Sequence, residues 1–243
     1  MKPIVTSSLC FIAGVALCAI VLNGPGKISG NSDAAIRAFI EKNPQVIVDS
    51  VQTWQKAQAE QHQENSKNAA KDHKKALLEA EHDGVVNPKG TSTIVEFFDY
   101  DCPACKQQFH ALAELLKKDD SIRVIFKEFP IFGATSDANS RIGIAVAALA
   151  PKKYFAFHEK MMRFEGRADA EQATKFATEV GIDAAALKTE IEKPYINEKI
   201  DENRKLSEKL GIQGTPALII GDELIPHALP AEEMAHRLAE LKK

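Results

Sequence analysis

Cysteine is scarce in this chain, and its scarcity excludes a scaffold held together by disulfides. The 243 residues include 4 cysteines, far below the density of small disulfide-stapled proteins. Cys10 and Cys18 lie in an apolar N-terminal run, so only Cys102 and Cys105 remain beyond it. A disulfide between residues so close in sequence would restrict the unfolded chain very little. Chemistry is therefore a better explanation of this pair than stability.

An excess of charge of one sign is also lacking. The chain has 31 Lys and Arg against 34 Asp and Glu, a net charge of −3. This balance provides no general attraction to nucleic acid or to anionic membranes, so we expect no nucleic-acid partner. The content of 44% hydrophobic and 27% charged residues excludes a disordered chain, a collagen and a polytopic membrane protein. Phosphate-binding glycine motifs are absent, and we expect no cofactor.

One long apolar run is present at the N-terminus. Residues 4–22 carry no charge, follow Lys2 and precede a Gly- and Pro-containing segment at 23–27. About 18 apolar residues suffice to cross a bilayer, and a secretory signal has similar features. No clean Ala-x-Ala site ends the run, so cleavage and retention both stay open. Residues 1–23 are predicted to be a signal peptide or membrane anchor, so we expect the remainder to be exported, either soluble or tethered to the membrane by residues 4–22.

Residues 31–88 are predicted to form a helical segment, interrupted at Pro44. Its N-terminal part has apolar residues at helical spacing, namely Ile36, Phe39, Ile40, Ile47, Val51 and Trp54. Beyond Trp54 the chain is polar until Leu77, and a helix with one short apolar end cannot form its own core. We predict that residues 31–60 bind a second copy of the chain, with the polar stretch as a spacer. Packing back onto the main domain is the alternative.

Residues 89–243 alternate between strand and helix patterns. Turn signals at 82–84 and 87–90 place the domain boundary near residue 88. A strand at 91–98, a helix, a strand at 122–126, a helical block at about 137–210, strands at 217–220 and 223–225 and a final helix after Pro230 follow. This order predicts an α/β fold, a small mixed sheet with helices on both faces and a helical insertion.

The segment Cys102-Pro103-Ala104-Cys105 lies where the first of these strands meets a helix. A cysteine at the first helical turn is stabilised as a thiolate by free backbone N–H groups and the helix dipole. Cys105 returns to the same helical face three residues later, and Pro103 suits the first helical position. An accessible thiolate with a second thiol nearby is what disulfide exchange requires.

Metal and haem sites match the sequence poorly. A structural zinc site needs four ligands, yet no second C-x-x-C exists and the closest histidine pairs, 73/82 and 227/236, are nine residues apart. A c-type haem site would need histidine where Lys106 stands. Metal capture across two subunits remains an alternative.

Three motifs, Phe97–Lys106, Lys127–Pro130 and Gly214–Leu218, together resemble the DsbA-like thiol:disulfide oxidoreductases of the thioredoxin superfamily over residues 90–242. The segment Phe39–Gln45 is similar to the N-terminal extension of that family's oligomeric branch. The resemblance implies a thioredoxin fold and periplasmic dithiol chemistry. It also implies exported proteins with cysteines as substrates, and a quinone-linked oxidase or a reductase in the membrane as redox partner.

The resemblance also assigns roles to residues. Cys102 corresponds to the attacking cysteine, Cys105 to the resolving one, and Pro216 to a cis-proline that faces them. Thr215 would then offer its backbone to an extended substrate chain. Glu96 corresponds to the acid near the resolving thiol; in an apolar strand its pKa would be raised, and it could exchange protons with Cys105. An outward-facing strand residue is the alternative for Glu96.

The direction of the reaction stays open. Pro103 and Ala104 are expected to contact substrate. This dipeptide stands where strongly oxidising relatives have Pro-His, so we expect a moderate oxidant or an isomerase. Asp99, Asp101 and Lys106 flank the site; their default interpretation is solvated loop and helix charges, and tuning of the site is the alternative. His158 is expected to be a half-buried helix residue, with a catalytic base as the alternative. A non-enzymatic alternative is an oligomeric chaperone or metal-binding module on a thioredoxin fold.

Overall fold

The structure is a computed structural model that describes residues 30–242. The apolar run at 4–22 lies outside the described residues, so the signal peptide or anchor stays a prediction. Within residues 30–242, no helix is both long and apolar enough to span a membrane. The chain divides into two compact units that meet between Ala57 and Gln58, and each is described by itself.

The first unit contains helix α1 (Gly30–Lys42) and the start of helix α2 (Gln45–Asp72). Between the two helices lie Asn43 and Pro44, which confirms the predicted interruption, because proline disfavours helical backbone in the residue before it. The apolar side chains of this unit are exposed in the single chain, with 55% of Phe39 and 64% of Trp54 accessible. A single helix cannot bury its own apolar face, so a face of this kind needs another surface to pack against.

The second unit is built on a five-stranded sheet in the order β1-β3-β2-β4-β5. The strands are β1 (Gly84–Val86), β2 (Ser92–Phe98), β3 (Ile122–Glu128), β4 (Ala217–Ile220) and β5 (Glu223–Ile225). Strands β2 and β3 are parallel, whereas the other neighbours are antiparallel. This confirms the predicted α/β class, and the β4–β5 hairpin has the predicted bounds.

Strand β1 differs from the sequence prediction, which assigned Gly84 to a turn. Turns do lie at residues 81–82 and 88–89, but the short strand between them pairs with β3, Gly84 opposite Phe126. The ring of Tyr154 occupies the position that a Cβ of residue 84 would take, so glycine is required there. The sheet therefore begins before the predicted boundary at residue 88.

The helices of the second unit cover both faces of the sheet. They comprise the end of α2, α3 (Lys74–Leu78), α4 (Pro103–Lys118), α5 (Ala134–Leu149), α6 (Pro151–Arg163), α7 (Ala170–Glu179), α8 (Ala184–Ile191), α9 (Pro194–Leu210) and α10 (Ala231–Glu240). Helices α5–α9 form the insertion between β3 and β4, which confirms its predicted place. Proline occupies the first turn of α4, α6 and α9, where its missing N–H is not needed.

Two hydrophobic cores lie on opposite faces of the sheet, because successive strand residues point to opposite sides. Ile94 and Phe98 of β2 belong to the larger core, together with residues of α4 and the insertion. Val95 and Phe97 belong to the smaller core, which also contains Ala70 of α2 and Leu77 of α3. The end of the segment predicted as a spacer thus contributes buried side chains to this domain.

Candidate active site

Cys102 and Cys105 lie at the junction of β2 and α4. Cys102 occupies the N-cap position of α4 with extended backbone angles (φ −81°, ψ 117°), and Pro103 occupies the first turn. The Cys102 N–H donates to the Asp99 carbonyl at 3.1 Å, which closes the turn after β2. Both thiols are free, and Cys102 and Cys105 are 3% and 0% exposed. The predicted placement of the pair is therefore found, with Cys105 the more deeply buried.

The pKa values of the two thiols are shifted in opposite directions. Hydrogen bonding from Cys105 lowers the pKa of Cys102 to about 6, with help from Thr215 and from the backbone N–H groups of residues 104 and 105, against partial burial. Burial raises the pKa of Cys105 far above its usual range, and the hydrogen bond with Cys102 and the charges of Glu96 and Cys102 add to this effect. Cys102 is thus a thiolate at neutral pH and Cys105 a thiol, as nucleophile and resolving group require.

The segment before β4 faces Cys102. Antiparallel pairing places Ala217 opposite Phe97, which brings the preceding residues beside the end of β2. The Thr215–Pro216 peptide bond is cis, and the Cys102 thiol donates to the Thr215 carbonyl at 3.3 Å. The family resemblance implies that these two residues face the thiol pair, and the structure places Thr215 in contact with Cys102.

Glu96 lies in the middle of β2, between Phe126 of β3 and Leu218 of β4. It is 1% exposed, and it shares the sheet face of Ile94 and Phe98, so the outward-facing alternative is wrong. Burial raises the pKa of Glu96 to about 8, with a further contribution from the Cys102 charge. Its Oε1 has no hydrogen-bond partner. A carboxyl group that stays protonated near neutral pH therefore lies beneath the thiol pair.

Asp99 is buried, contrary to the expectation of a solvated charge. Its carboxylate accepts hydrogen bonds from the backbone N–H groups of Asp101 at 2.8 Å, Ile131 at 2.7 Å and Phe132 at 3.2 Å. The hydroxyl of Ser136 donates to the same carboxylate. One side chain thus joins the loop before Cys102 to the segment between β3 and α5.

Asp101 is buried as well, and its expected solvation is also wrong. Arg167 binds it in a bidentate manner, with Nε at 2.9 Å and Nη2 at 2.7 Å from Oδ2. The amide of Asn139 donates to Oδ1 at 3.3 Å. Arg167 was missed by sequence reasoning, because nothing in the pattern links two residues that are 66 positions apart. The one available signal was the pair of acids at the end of an apolar strand, since buried acids need partners.

The rim around Cys102 is partly apolar. Pro103 is exposed and Ala104 half-buried, and Ile131 and Phe132 are each 43% exposed. Lys106 is only partly exposed: its ammonium donates to the carbonyls of residues 164 and 166, and burial lowers its pKa. The sheet edge that carries Cys102 therefore presents both apolar and polar side chains.

His158 lies fully inside the larger core and not half-buried as expected. The rings of Phe98, Tyr100, Phe109, Phe126 and Tyr154 surround it. Burial lowers the pKa of His158 to about 3, so the ring is neutral at physiological pH. Across residues 30–242, no three His, Cys, Asp or Glu side chains are grouped as metal ligands.

Comparisons with known proteins identify the family of the chain. A family model of the DSBA-like thioredoxin domain matches residues 93–239. Disulfide bond formation protein D of Bacillus subtilis strain 168 is 26% identical over 163 residues, which cover 62% of this chain and 72% of that relative.

Solved structures show the same likeness. A thioredoxin-like oxidoreductase from Silicibacter pomeroyi DSS-3 has 32% identity and a TM-score of 0.64, with 69% of this chain and 96% of that one covered. The thiol-disulfide exchange protein alpha-DsbA2 from Wolbachia pipientis has 28% identity and a TM-score of 0.68, with 72% and 95% covered. The family match extends over more than half of the chain and contains Cys102 and Cys105. The chain therefore belongs to the DsbA-like thioredoxin-domain family and is a disulfide oxidoreductase.

Proposed function

We propose that this protein forms or reshuffles disulfides in exported proteins through a mixed disulfide at Cys102. The observation that carries the proposal is the contrast within one helical turn, where Cys102 has a pKa of about 6 and Cys105 is buried and protonated. Such a pair separates attack from resolution, since the thiolate is the nucleophile and the better leaving group.

Oxidation of a substrate starts from the Cys102–Cys105 disulfide. A substrate thiolate attacks the Cys102 sulfur, so a substrate–Cys102 disulfide forms and the Cys105 sulfur leaves with the electron pair. A second substrate thiolate then attacks the substrate sulfur of this mixed disulfide and expels Cys102 as a thiolate. The substrate loses two electrons, and the cysteine pair gains them.

Isomerisation starts from the reduced pair. The Cys102 thiolate attacks a substrate disulfide and releases one substrate thiolate. Another substrate thiolate attacks the mixed disulfide and restores free Cys102, so no net redox change occurs. Failed cycles end when Cys105 attacks Cys102 and releases the reduced substrate.

Glu96 is proposed to move the proton of Cys105. The Cys105 sulfur leaves as an anion in a buried site, and attack by Cys105 requires loss of its proton. A carboxyl group with a pKa near 8 can donate and accept a proton at neutral pH. Its lack of a hydrogen-bond partner on Oε1 leaves that oxygen available for the exchange.

Trapping tests the proposed function. In the full chain, Cys105→Ala should accumulate a substrate–Cys102 disulfide that survives non-reducing electrophoresis, and Cys102→Ala should accumulate none. Assays with a reduced and with a scrambled disulfide protein then separate oxidase from isomerase activity. A chaperone without redox turnover would instead keep its full effect in Cys102→Ala, which would refute the proposal.

We also propose that the first unit joins copies of the chain through its exposed apolar stripe. Side chains at helical spacing, Ile36, Phe39, Ile47, Val51 and Trp54, are exposed in the single chain, and burial of such a stripe against a second copy removes it from water. Removal of residues 31–83 would also remove Leu77 and Asp83, which are buried in the second unit. Point variants are therefore the better test.

The double variant Phe39→Glu/Trp54→Glu should reduce the mass measured by light scattering to that of one chain. Gln52→Glu adds a charge to α2 away from the stripe and should leave the mass unchanged. A single-chain mass for the unaltered protein would contradict the proposal.

Periplasmic location is proposed from the apolar run at 4–22 and from the family. Fractionation of cells that express the full chain should find it outside the cytoplasm. Mass spectrometry of the N-terminus then distinguishes a cleaved signal from a retained anchor.

A further inference from the structure

The ion pair between Asp101 and Arg167 lies directly beside the reactive cysteine. Asp101 precedes Cys102 in the chain, and its side chain is 0% exposed, whereas the Arg167 side chain is 51% exposed. Arg167 belongs to the segment between α6 and α7, within the helical insertion. Its fork presents two N–H groups to one carboxylate oxygen, a geometry that lysine cannot reproduce.

The ion pair between Asp101 and Arg167 affects how readily the Cys102 thiol ionises. Asp101 directly precedes Cys102 and is the acid of a buried ion pair, and a negative charge near a thiol disfavours its ionisation. Lys106 also feels the charge of Asp101, but its ammonium is held by the carbonyls of residues 164 and 166. Arg167 is the cation that directly binds Asp101. Without Arg167, the buried Asp101 carboxylate would keep the neutral amide of Asn139 as a hydrogen-bond donor. Lys106 would then be the cation left to offset its charge.

Arg167 has a second contact that concerns the rim. Its Nη2 donates to the Phe132 carbonyl at 2.7 Å, while the Phe132 N–H donates to Asp99. Residues 99–101 and the exposed pair Ile131 and Phe132 are thus held together by one guanidinium and one carboxylate. The two loops follow the neighbouring parallel strands β2 and β3 at the same edge of the sheet, the edge that carries Cys102.

We propose that Arg167 is a positioning residue for the thiol chemistry, through which the helical insertion controls the reactivity of Cys102. It neutralises Asp101, so the thiolate forms beside a paired charge, and it fixes the rim loop against the loop that carries the cysteine. This inference rests on the proposal that Cys102 is the attacking thiol.

Charge variants of the full, reduced chain test the inference. The pKa of Cys102 is measured from thiolate absorbance and from the rate of iodoacetamide alkylation against pH. Arg167→Gln should raise this pKa by about one unit, which slows alkylation at pH 5 about ninefold. Asp101→Asn should shift the pKa in the opposite direction, because Arg167 is then left without its partner. The double variant should return the pKa to within about 0.3 unit of the original.

Arg141→Gln is the matched control, because Arg141 lies in the same insertion and pairs with Asp137 on the surface of α5. It should leave the pKa of Cys102 unchanged. A purely structural role would shift both single variants in the same direction without rescue in the double variant, and that pattern would overturn the inference. An unchanged pKa in Asp101→Asn would overturn it as well, even if Arg167→Gln does not fold. Failure of the trapping experiment would instead refute the proposed function and leave these pKa shifts to be judged separately.

Discussion

Glu96→Gln should make the folded protein more stable, relative to the unaltered chain, as the pH rises. Glu96 has a pKa of about 8 in the folded chain against 4.5 ordinarily, chiefly because it is buried. Below pH 4.5 the carboxyl group is protonated in the folded and the unfolded chain, and its ionisation does not affect folding. Between pH 4.5 and 8 the unfolded chain releases the proton while the folded chain keeps it, so stability falls with pH.

The magnitude follows from this window. Each pH unit within it costs about 1.4 kcal/mol of unfolding free energy, so the cost reaches about 3 kcal/mol at pH 7. Glutamine has a similar shape and does not ionise. Its own burial cost is the same at every pH, so the difference between the two proteins isolates the carboxyl group. Relative to Glu96, the variant should therefore gain about 3 kcal/mol between pH 4 and pH 7.

Urea unfolding of both proteins at several pH values, with a non-thiol reductant, measures this difference. Cys102 is present in both, so most of its own pH dependence cancels. Glu208→Gln, which replaces an exposed acid of α9, should show the pH dependence of the unaltered chain. Parallel stability curves for the unaltered protein and the Glu96→Gln variant would refute the reasoning, because they would mean that the carboxyl group ionises normally in the fold.

Three further outcomes are expected. Alkylation of Cys102 should rise with pH around a midpoint near 6, and a midpoint above 8 in the reduced chain would contradict the lowered pKa. Asp83→Ala should lower the free energy of urea unfolding by about 3–5 kcal/mol. In the unaltered chain the Lys127 ammonium lies 2.7 Å from the Asp83 carboxylate, and the variant leaves it as a buried cation without a counter-ion; a loss below about 1 kcal/mol would contradict this. Gly143→Ala should cost about 1–3 kcal/mol by thermal unfolding, because a Cβ there overlaps Glu128 and Tyr100 and this overpacking outweighs the gain in helix propensity; an unchanged or higher melting temperature would contradict it.

The parts of the fold with strong periodic patterns could be predicted from the sequence. The apolar strand β2, the β4–β5 hairpin and the helical insertion each have a hydrophobic period that matches one kind of element. The cysteine pair was found from its spacing alone, and the raised pKa of Glu96 from an acid in an apolar strand. These features depend on neighbours in sequence or on one element's own pattern.

The missed features depend on contacts between distant segments. Strand β1 has three residues between two turns, too few for any period, and it exists because β3 supplies its hydrogen bonds. The burial of Asp99 and Asp101 was missed because most of their partners are distant in sequence, such as Ile131 at 32 positions and Arg167 at 66. His158 was expected to be half-buried because a single helix pattern does not show how many aromatic rings surround one position.

The ring cluster around His158 has a consequence for how this domain can be divided. It combines Phe98 of β2 and Phe126 of β3 with Tyr154 of α6, so strands of the sheet and a helix of the insertion share one set of packed side chains. The insertion is continuous in sequence, but its stability depends on packing against the sheet. Moving these helices to another scaffold, or deleting them to leave a minimal redox domain, would expose aromatic side chains on both parts and favour aggregation over folding.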